Sequence, residues 1–180
     1  MKKIYFIIMI FVFCFNINVY ANTTSIDDAV NVLTKMKIVI GNENGDLMLE
    51  DNLTRAEFAT IITRLLVLES NQTPTTSLQF NDVQKDFWGY SAIYKCVDKG
   101  YLLGNGDGTF RPNDPIKYEE VLTIMLRILN QDSNLQNWPT DYINKANDLL
   151  INKNTNYKQG DIITRANSFV IIHNCLQFVK

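Results

Sequence analysis

Residues 104–129 read GNGDGTFRPNDPIKYEEVLTIMLRIL, and residues 41–66 read GNENGDLMLEDNLTRAEFATIITRLL. Both stretches begin with a glycine-rich turn and end in a run whose apolar residues recur at i, i+3, i+4, i+7 and i+8. When Gly41 is aligned with Gly104, the apolar positions of the two runs coincide. One apolar face at helical spacing predicts a helix that packs on a core, and this sequence contains that helix twice.

A third and more degenerate copy follows near the end of the sequence. The letters ITRA at 163–166 repeat the letters LTRA at 53–56, and apolar residues continue the helical pattern after them. The loop before this copy, NKNTNYKQGD, lacks the GDGTF letters of the second copy. We therefore divide the chain into repeat one at 22–69, repeat two at 80–129 and a degenerate repeat three at 138–180.

Polar stretches at 70–79 and 130–137 separate the repeats and are interpreted as linkers. Each repeat is expected to hold a first helix, a loop and a second helix. The first helices are predicted at 26–37, 91–99 and 140–149. Since a helix pair of about 50 residues cannot bury its apolar face alone, the three repeats must pack together. The sequence therefore predicts an all-α fold.

The N-terminal residues 1–21 have the pattern of a secretory signal peptide. Lys2 and Lys3 precede an apolar run at 4–15, and Ala21 supplies a small residue at the exit. This run is shorter than the roughly 20 apolar residues that span a bilayer, although an uncleaved membrane anchor is the alternative. We expect an exported protein with no membrane segment after cleavage.

Composition and spacing argue against several other functions. The formal net charge is −2 and no block of like charges occurs, which is not typical of nucleic-acid binding. Cys96 and Cys175 lie in apolar helical patterns, so we predict small buried thiols rather than a disulfide. The single histidine, His173, is two residues from Cys175, which is a poor spacing for a nucleophile and its base on a helix. We expect no enzymatic activity and no cofactor.

The glycine-rich loop of repeat two partly resembles a calcium-binding loop. Asn105, Asp107 and Thr109 could open a calcium-binding loop, because they alternate oxygen-bearing side chains. However, Phe110 and Ile116 stand where the EF-hand pattern requires glycine and glutamate. We expect no metal site.

The starts of the second helices carry an unusual arginine. Thr54 and Glu57 form the pattern of a capping box, which places Arg55 at the first helical position. A cation there opposes the helix dipole at a cost of roughly 0.3–1 kcal/mol. Yet Arg165 repeats this placement after Thr164. Either each arginine is exposed and tolerates a screened penalty, or each guanidinium group lies beside the helix N-terminus to hold a carboxylate or phosphate.

A second arginine pair, Arg64 and Arg127, also repeats, but near the predicted C-termini of the second helices. Positive charge at that end suits the helix dipole. We interpret this second pair as structural.

Together these segments resemble the S-layer homology (SLH) domain. The usual pattern of that family is a helix, a G-I-x-x-G-x-x-D-G-T-F-x-P loop and an I-T-R-A-E start of a second helix. Repeat two carries GYLLG at 100–104 and DGTFRP at 107–112, preceded by FNDV at 80–83 and by Trp88. The T-R-A letters stand in the other two repeats, so the resemblance covers almost all of the chain after the predicted signal peptide.

The resemblance implies a pseudo-threefold, three-pronged helical bundle that attaches exported proteins to the bacterial cell wall. In this family, grooves between domains hold a secondary cell-wall polysaccharide, often capped by a pyruvate ketal, and the arginine of T-R-A-E commonly contacts the anionic group. We therefore expect a secreted protein at the cell wall or surface of a Gram-positive bacterium. The residues expected to bind polysaccharide are Arg55, Arg165, Thr54, Thr164, Tyr118 and Trp88.

Two departures from the family pattern affect this expectation. Repeat two has Tyr118 at the arginine position and Lys117 at the threonine position, so its second helix is predicted to start from Asp114 with Pro115 first. Tyr118 would either stack on a sugar or pack in the protein, with packing favoured. In repeat three, Asn167 replaces the glutamate and weakens the capping box. We expect one or two working grooves rather than three.

Two functions remain open from the sequence. The first is a module that binds wall polysaccharide. The second is an exported bundle of the same fold that binds another surface protein instead of a glycan.

Overall fold

The computed structural model describes residues 25–67 and 80–178. Within these two ranges the chain folds into six α-helices and forms no β-strand, which confirms the all-α prediction. The predicted signal peptide at 1–21 and the predicted linker at 70–79 lie outside the described residues. The helices are α1 (Ile26–Lys35), α2 (Arg55–Leu65), α3 (Tyr90–Asp98), α4 (Tyr118–Ile128), α5 (Thr140–Asp148) and α6 (Arg165–Leu176). None of these six has the length and apolar content that crossing a membrane requires.

The observed first helices α1, α3 and α5 lie close to the predicted ranges. Helix α1 ends earlier than predicted because Lys37 has a φ of 57°, a left-handed conformation that stops a helix. Helix α3 ends before Gly100, whose φ is 73°, as its glycine predicts.

The predicted start of α4 is wrong. The helix begins at Tyr118, not near Pro115, and Lys117 is the extended residue before it, with φ −88° and ψ 156°. The backbone N–H of Lys117 donates to the Glu120 carboxylate at 2.9 Å, so half of a capping box survives without a threonine. Pro115 instead forms an antiparallel bridge with Thr54 of repeat one. The sequence could not show that long-range partner.

Each first helix packs against the second helix of the preceding repeat, not against the second helix of its own. Helix α3 packs on α2, α5 packs on α4, and α1 packs on α6, while α4 also contacts α6. The repeat is therefore a unit of sequence, and each packed helix pair combines two repeats. Because α1 and α6 form one such pair, the two ends of the described chain close the arrangement.

The starts of the three second helices are joined in a closed cycle of hydrogen bonds. The backbone N–H of Arg55 donates to the backbone carbonyl of Asp114 at 3.0 Å. The N–H of Tyr118 donates to the backbone carbonyl of Asp161 at 2.9 Å, and that of Arg165 donates to the backbone carbonyl of Asp51 at 2.9 Å. The first N–H groups of a helix have no partner inside the helix, so the next repeat supplies the acceptors. This cycle supports the predicted pseudo-threefold arrangement.

A continuous apolar core lies beneath this cycle. Phe58, Phe110 and Phe169 are fully buried there. The thiols of Cys96 and Cys175 are buried and unpaired, as predicted. Burial raises the pKa of each thiol to about 12, so both stay protonated and unreactive at neutral pH.

Candidate binding grooves

In the part of the chain that the structure describes, two grooves of similar size lie between the repeats, each with an exposed tryptophan on its rim. The first, the Trp138 groove, encloses about 230 Å³, and the second, the Trp88 groove, about 220 Å³. The Trp138 groove is lined by Arg55, Leu102, Leu103, Gly104, Asn105, Glu120, Thr123, Ile124, Arg127 and Trp138. The Trp88 groove is lined by Ile40, Gly41, Asn42, Met48, Glu57, Thr60, Ile61, Arg64, Trp88 and Arg165.

The two grooves are built from the same positions of the repeat. Each takes a glycine loop and one face of a second helix from one repeat, an arginine from the preceding repeat, and a tryptophan from the following repeat. All three repeats therefore contribute to each groove, which exists only when the cycle is closed.

Arg55 lies at the floor of the Trp138 groove, where its guanidinium group makes hydrogen bonds, an ion pair and a contact with an aromatic ring. It is only 7% exposed. Its Nε donates to the Phe110 carbonyl at 2.9 Å, and one terminal nitrogen donates to the Leu103 carbonyl at 3.0 Å. The other terminal nitrogen pairs with Glu120 at 2.9 Å, and the guanidinium group lies 4.6 Å from the centre of the Phe110 ring. Arg55 thus fastens repeat one to the loop and helix of repeat two.

Arg165 makes the corresponding contacts in the Trp88 groove. It is 6% exposed, its Nε donates to the Leu47 carbonyl at 2.9 Å, and a terminal nitrogen pairs with Glu57 at 3.0 Å. The interpretation of Arg55 and Arg165 as exposed residues with a screened penalty is therefore wrong. The positive charge at the helix start is balanced by a carboxylate of the next repeat, which only the closed fold brings close.

Thr54 and Thr164 lie at the helix starts and act as caps. The Thr54 hydroxyl accepts from the Glu57 N–H at 3.2 Å, while Glu57 accepts from the Thr54 N–H at 2.8 Å, which confirms the predicted capping box. The Thr164 hydroxyl accepts from the Asn167 N–H at a longer 3.4 Å, and no reciprocal bond forms. Neither threonine lines a groove, so both act by positioning the arginine that follows.

Tyr118 occupies the arginine position at the third interface and packs inside the protein. It is 2% exposed, its hydroxyl accepts from the Asn152 side-chain amide at 2.6 Å, and its ring stacks on Tyr157 with centroids 6.0 Å apart. The prediction that Tyr118 contacts a sugar is corrected accordingly, because the loop of repeat three covers its ring.

The rest of this third interface is also filled. Glu119 is 3% exposed and accepts from the Gly160 N–H of repeat three at 2.9 Å. Asn167 and Asn174 stand at the positions that correspond to Glu57 and Arg64. We call the contacts of Tyr118 and Glu119 with repeat three the Tyr118 interface. It has a tyrosine where the grooves have Arg55 or Arg165, and Asn167 where they have the glutamate that pairs with that arginine.

Three groove residues were missed or misjudged from the sequence. Trp138, 55% exposed, donates through its indole N–H to the Thr123 hydroxyl at 3.0 Å. It stands two residues before α5, just as Trp88 stands two residues before α3, and this repetition could have revealed it. Arg64 and Arg127 do lie in the last turns of α2 and α4, but they also line the grooves.

The two groove arginines differ in how far they are engaged. Arg127 donates to the Tyr101 carbonyl at 3.1 Å and lies 3.9 Å from the Asp132 carboxylate. Arg64 is exposed, and its side chain has no hydrogen bond or ion pair with another described residue. Its guanidinium group is therefore available to an anion. Among the described residues, no group of three or more His, Cys, Asp or Glu side chains could hold a metal ion.

Comparison with known families identifies the middle of this arrangement. The family model of the S-layer homology domain matches residues 79–122, which include the DGTF loop, Trp88 and the start of α4. The chain carries an S-layer homology domain. This confirms the family resemblance that the sequence motifs indicated.

Larger relatives match beyond this SLH domain. The chain is 27% identical over 153 residues to the middle cell wall protein of Brevibacillus brevis, a match that covers 84% of this chain and 14% of that protein. It is 31% identical over 105 residues to the cellulosome-anchoring protein of Acetivibrio thermocellus, covering 57% of this chain and 23% of the relative. It is 28% identical over 169 residues to the amylopullulanase of Thermoanaerobacterium thermosulfurigenes, covering 83% of this chain and 9% of that enzyme. The SLH chain thus spans less than a quarter of each of these relatives.

Proposed function

We propose that this SLH protein binds an anionic secondary cell-wall polysaccharide in the Trp88 and Trp138 grooves and so holds itself at the surface of a Gram-positive bacterium. The observation that carries the proposal is the matched pair of grooves. Each combines an exposed indole, an arginine, a threonine hydroxyl and a neutralised arginine–glutamate pair at its floor.

The exposed indoles supply the contact with sugar rings. Trp88 is 61% exposed and Trp138 is 55% exposed, which leaves two large apolar faces in solvent. Tryptophan is enriched at binding interfaces, where its ring is apolar and its indole N–H finds a polar partner. An indole face can cover the C–H face of a pyranose, and in the Trp88 groove the Thr60 hydroxyl oxygen can accept a hydrogen bond from the sugar.

The second arginine pair supplies the attraction for the anionic group. Because Glu57 balances Arg165 and Glu120 balances Arg55, the net positive charge of each groove comes from Arg64 or Arg127. A guanidinium group binds a carboxylate or phosphate through two parallel hydrogen bonds. The negative charge of the whole chain does not prevent this, because exposed charges are screened beyond about 8–10 Å at moderate ionic strength.

Arg55 and Arg165 then have a supporting role in binding. Each ties a groove floor to the preceding repeat, and its nitrogens that donate to carbonyl and carboxylate oxygens are not free for a ligand. Removing either arginine would disturb the groove even if the polysaccharide never touches it. A loss of binding in Arg55→Ala or Arg165→Ala therefore does not by itself show contact with an anion.

The relatives favour attachment over catalysis as the shared role. They include a cell wall protein, a protein named for anchoring and an amylopullulanase, and the matched segment is a small part of each. A segment shared by proteins with such different names is better explained by a common location than by a common reaction. We place the protein at the cell surface on this basis, with no catalytic role for the described residues.

Sedimentation with purified cell-wall sacculi tests the proposal. We expect the purified protein to pellet with the sacculi and the Trp88→Ala/Trp138→Ala double variant to stay in the supernatant. Tyr118→Phe is the matched control, since it changes an aromatic residue of the third interface and should pellet like the wild type.

Sacculi stripped of their secondary polysaccharide distinguish glycan from protein partners. The proposal predicts that stripping abolishes pelleting of the wild type. Pelleting that survives both stripping and the double substitution would contradict it and support the alternative, an exported bundle that binds another surface protein.

A further inference from the structure

The Trp88 groove continues past its tryptophan into a second cleft. Trp88, Arg64 and Thr60 line both spaces, so the indole stands between them as a shared wall. Beyond it the cleft is bordered by Lys37 and Lys95. We call this second space the lysine cleft.

The lysine cleft concentrates positive charge from three helices. Lys37 follows α1, Arg64 lies in the last turn of α2, and Lys95 lies in the last turn of α3. None of the ten described residues that line the cleft is acidic. Neither Lys37 nor Arg64 has an ion pair with a described carboxylate. A cleft lined by one sign of charge attracts the opposite sign, and like charges held together repel until a counter-ion binds.

The same region beside the Trp138 groove has a different charge. Gly100 stands at the position of Lys37, and Asp141 stands at the position of Ser91, three residues after the tryptophan. Arg127, which corresponds to Arg64, lies 3.9 Å from Asp132. One lysine, Lys145, is retained at the position of Lys95. The two acidic residues offset the cations here, whereas no carboxylate among the described residues lines the lysine cleft.

The Asp141 carboxylate is ionised at neutral pH. It accepts from the backbone N–H of Asn137 at 2.9 Å and from that of Gln136 at 3.1 Å, and these bonds hold its pKa below the usual range. The position that Ser91 occupies near Trp88 therefore carries a negative charge near Trp138. The two grooves have nearly the same floor, but the surroundings of the Trp138 groove are mixed in charge, whereas the described lining of the lysine cleft is positive.

We propose that the lysine cleft is a second anion subsite, which takes a carboxylate or phosphate on the polymer unit next to the one held against Trp88. The inference rests on the proposed function, because it extends the same bound chain. The Trp88 groove then binds a segment with at least two anionic groups, and the Trp138 groove binds a segment with one. The hydroxyl group of Ser91 also lines the cleft and can donate to the same anion.

Isothermal titration calorimetry in a Trp138→Ala background isolates the Trp88 groove. The probes are fragments of purified wall polysaccharide, separated by size and charge into those with one anionic group and those with two or more. We expect Lys37→Gln/Lys95→Gln to weaken binding of the multiply charged fragments about tenfold and to leave the singly charged fragments within twofold. Lys85→Gln/Lys158→Gln is the control, because it removes the same charge from exposed lysines that line neither groove.

Equal affinity of the two double variants for multiply charged fragments would overturn the second subsite while leaving the proposed function intact. If the Trp138→Ala protein bound no fragment at all, the Trp88 groove would not be a glycan site, and both proposals would fail there. A weakening of equal size for singly and multiply charged fragments would show general attraction rather than a second subsite and would also overturn the inference.

Discussion

One position of the repeat is used in two different ways. At two interfaces it is an arginine, Arg55 or Arg165, which pairs with a glutamate of the next repeat and leaves a groove open above it. At the third interface it is Tyr118, whose ring stacks on Tyr157 and whose hydroxyl is bonded to Asn152. The cycle closes only when all three interfaces form. A groove stays open at the two interfaces that contain the arginine and not at the interface that contains Tyr118.

The difference follows from what each side chain needs when it is buried. A buried guanidinium group must have acceptors on its donors, so the next repeat has to present a carboxylate and backbone carbonyls at the groove floor. A tyrosine needs one hydrogen bond and an apolar or aromatic face, so the next repeat can cover it with side chains. The arginine interfaces stay polar and open, and the Tyr118 interface is filled.

The largest expected effect is on stability when a groove arginine is removed. Arg165→Ala leaves Glu57 without its partner and the Leu47 carbonyl without a donor, so we expect a loss of about 3 kcal/mol in the free energy of unfolding. This lies at the low end for a buried pair because the Glu57 side chain is 30% exposed. Urea unfolding measures the change, with Arg165→Lys as an intermediate control. A loss below about 1 kcal/mol would contradict the role of the arginine as an inter-repeat clamp.

A smaller difference should separate the two threonine caps. Thr54→Ala removes the hydroxyl that accepts from the Glu57 N–H and donates to the Glu57 carboxylate at 2.8 Å, and this carboxylate also pairs with Arg165, so we expect a loss of about 1.5 kcal/mol. Thr164→Ala removes a longer bond from the Asn167 N–H, a bond from the Asn167 side-chain amide at 3.0 Å and a contact with the Tyr157 hydroxyl, but it involves no charged partner, so it should cost less, about 1 kcal/mol. Thermal and urea unfolding of the two variants give the order. The reverse order would show that the box does not support the arginine interface.

The hydrogen bond of Tyr118 should contribute less to the free energy of unfolding than the hydrogen bonds and ion pair of a groove arginine. Tyr118→Phe keeps the stacked ring and removes the bond from Asn152, which predicts a loss of about 1 kcal/mol in unfolding free energy. Wall binding should be unchanged, because the residue lines neither groove. Sedimentation with sacculi checks the second point, and a loss of pelleting in a folded variant would place a binding site at this interface.

The smallest effect concerns the loop beside the Trp138 groove. The Asp107 carboxylate accepts from the hydroxyl and N–H of Thr109 and from Arg111, which lowers its pKa to about 2. A lowered pKa means that the stabilisation is present above the ordinary value of 3.8 and is lost as the pH falls towards 2. Asp107→Asn should therefore show a weaker dependence of stability on pH between those values. Identical pH profiles for the variant and the wild type would contradict this contribution.

Local signals in the sequence predicted the helices and their caps. The apolar spacing, the Thr54–Glu57 box and Gly100 each act within a few residues, and the structure has them as predicted. The start of α4 was missed because Pro115 bonds to repeat one rather than beginning a helix. The pairing of α1 with α6 was also beyond reach, since only the closed cycle brings the two ends together.

The site was only partly visible in the sequence for the same reason. Arg55 and Arg165 were correctly placed at helix starts, but their partners Glu120 and Glu57 belong to other repeats and became visible only in the fold. Trp138 could have been found, because it repeats the placement of Trp88 before a first helix. The sequence therefore indicated the location of each groove. It did not indicate which groove side chains are free to bind a ligand.

The number of glycan sites per protein tests the central claim most directly. Titration calorimetry with a singly charged fragment of the wall polysaccharide should give two sites on the wild type, one on Trp88→Ala or Trp138→Ala, and none on the double variant. Three sites on the wild type, or a count that neither tryptophan changes, would contradict the account that the two arginine grooves bind and the Tyr118 interface does not.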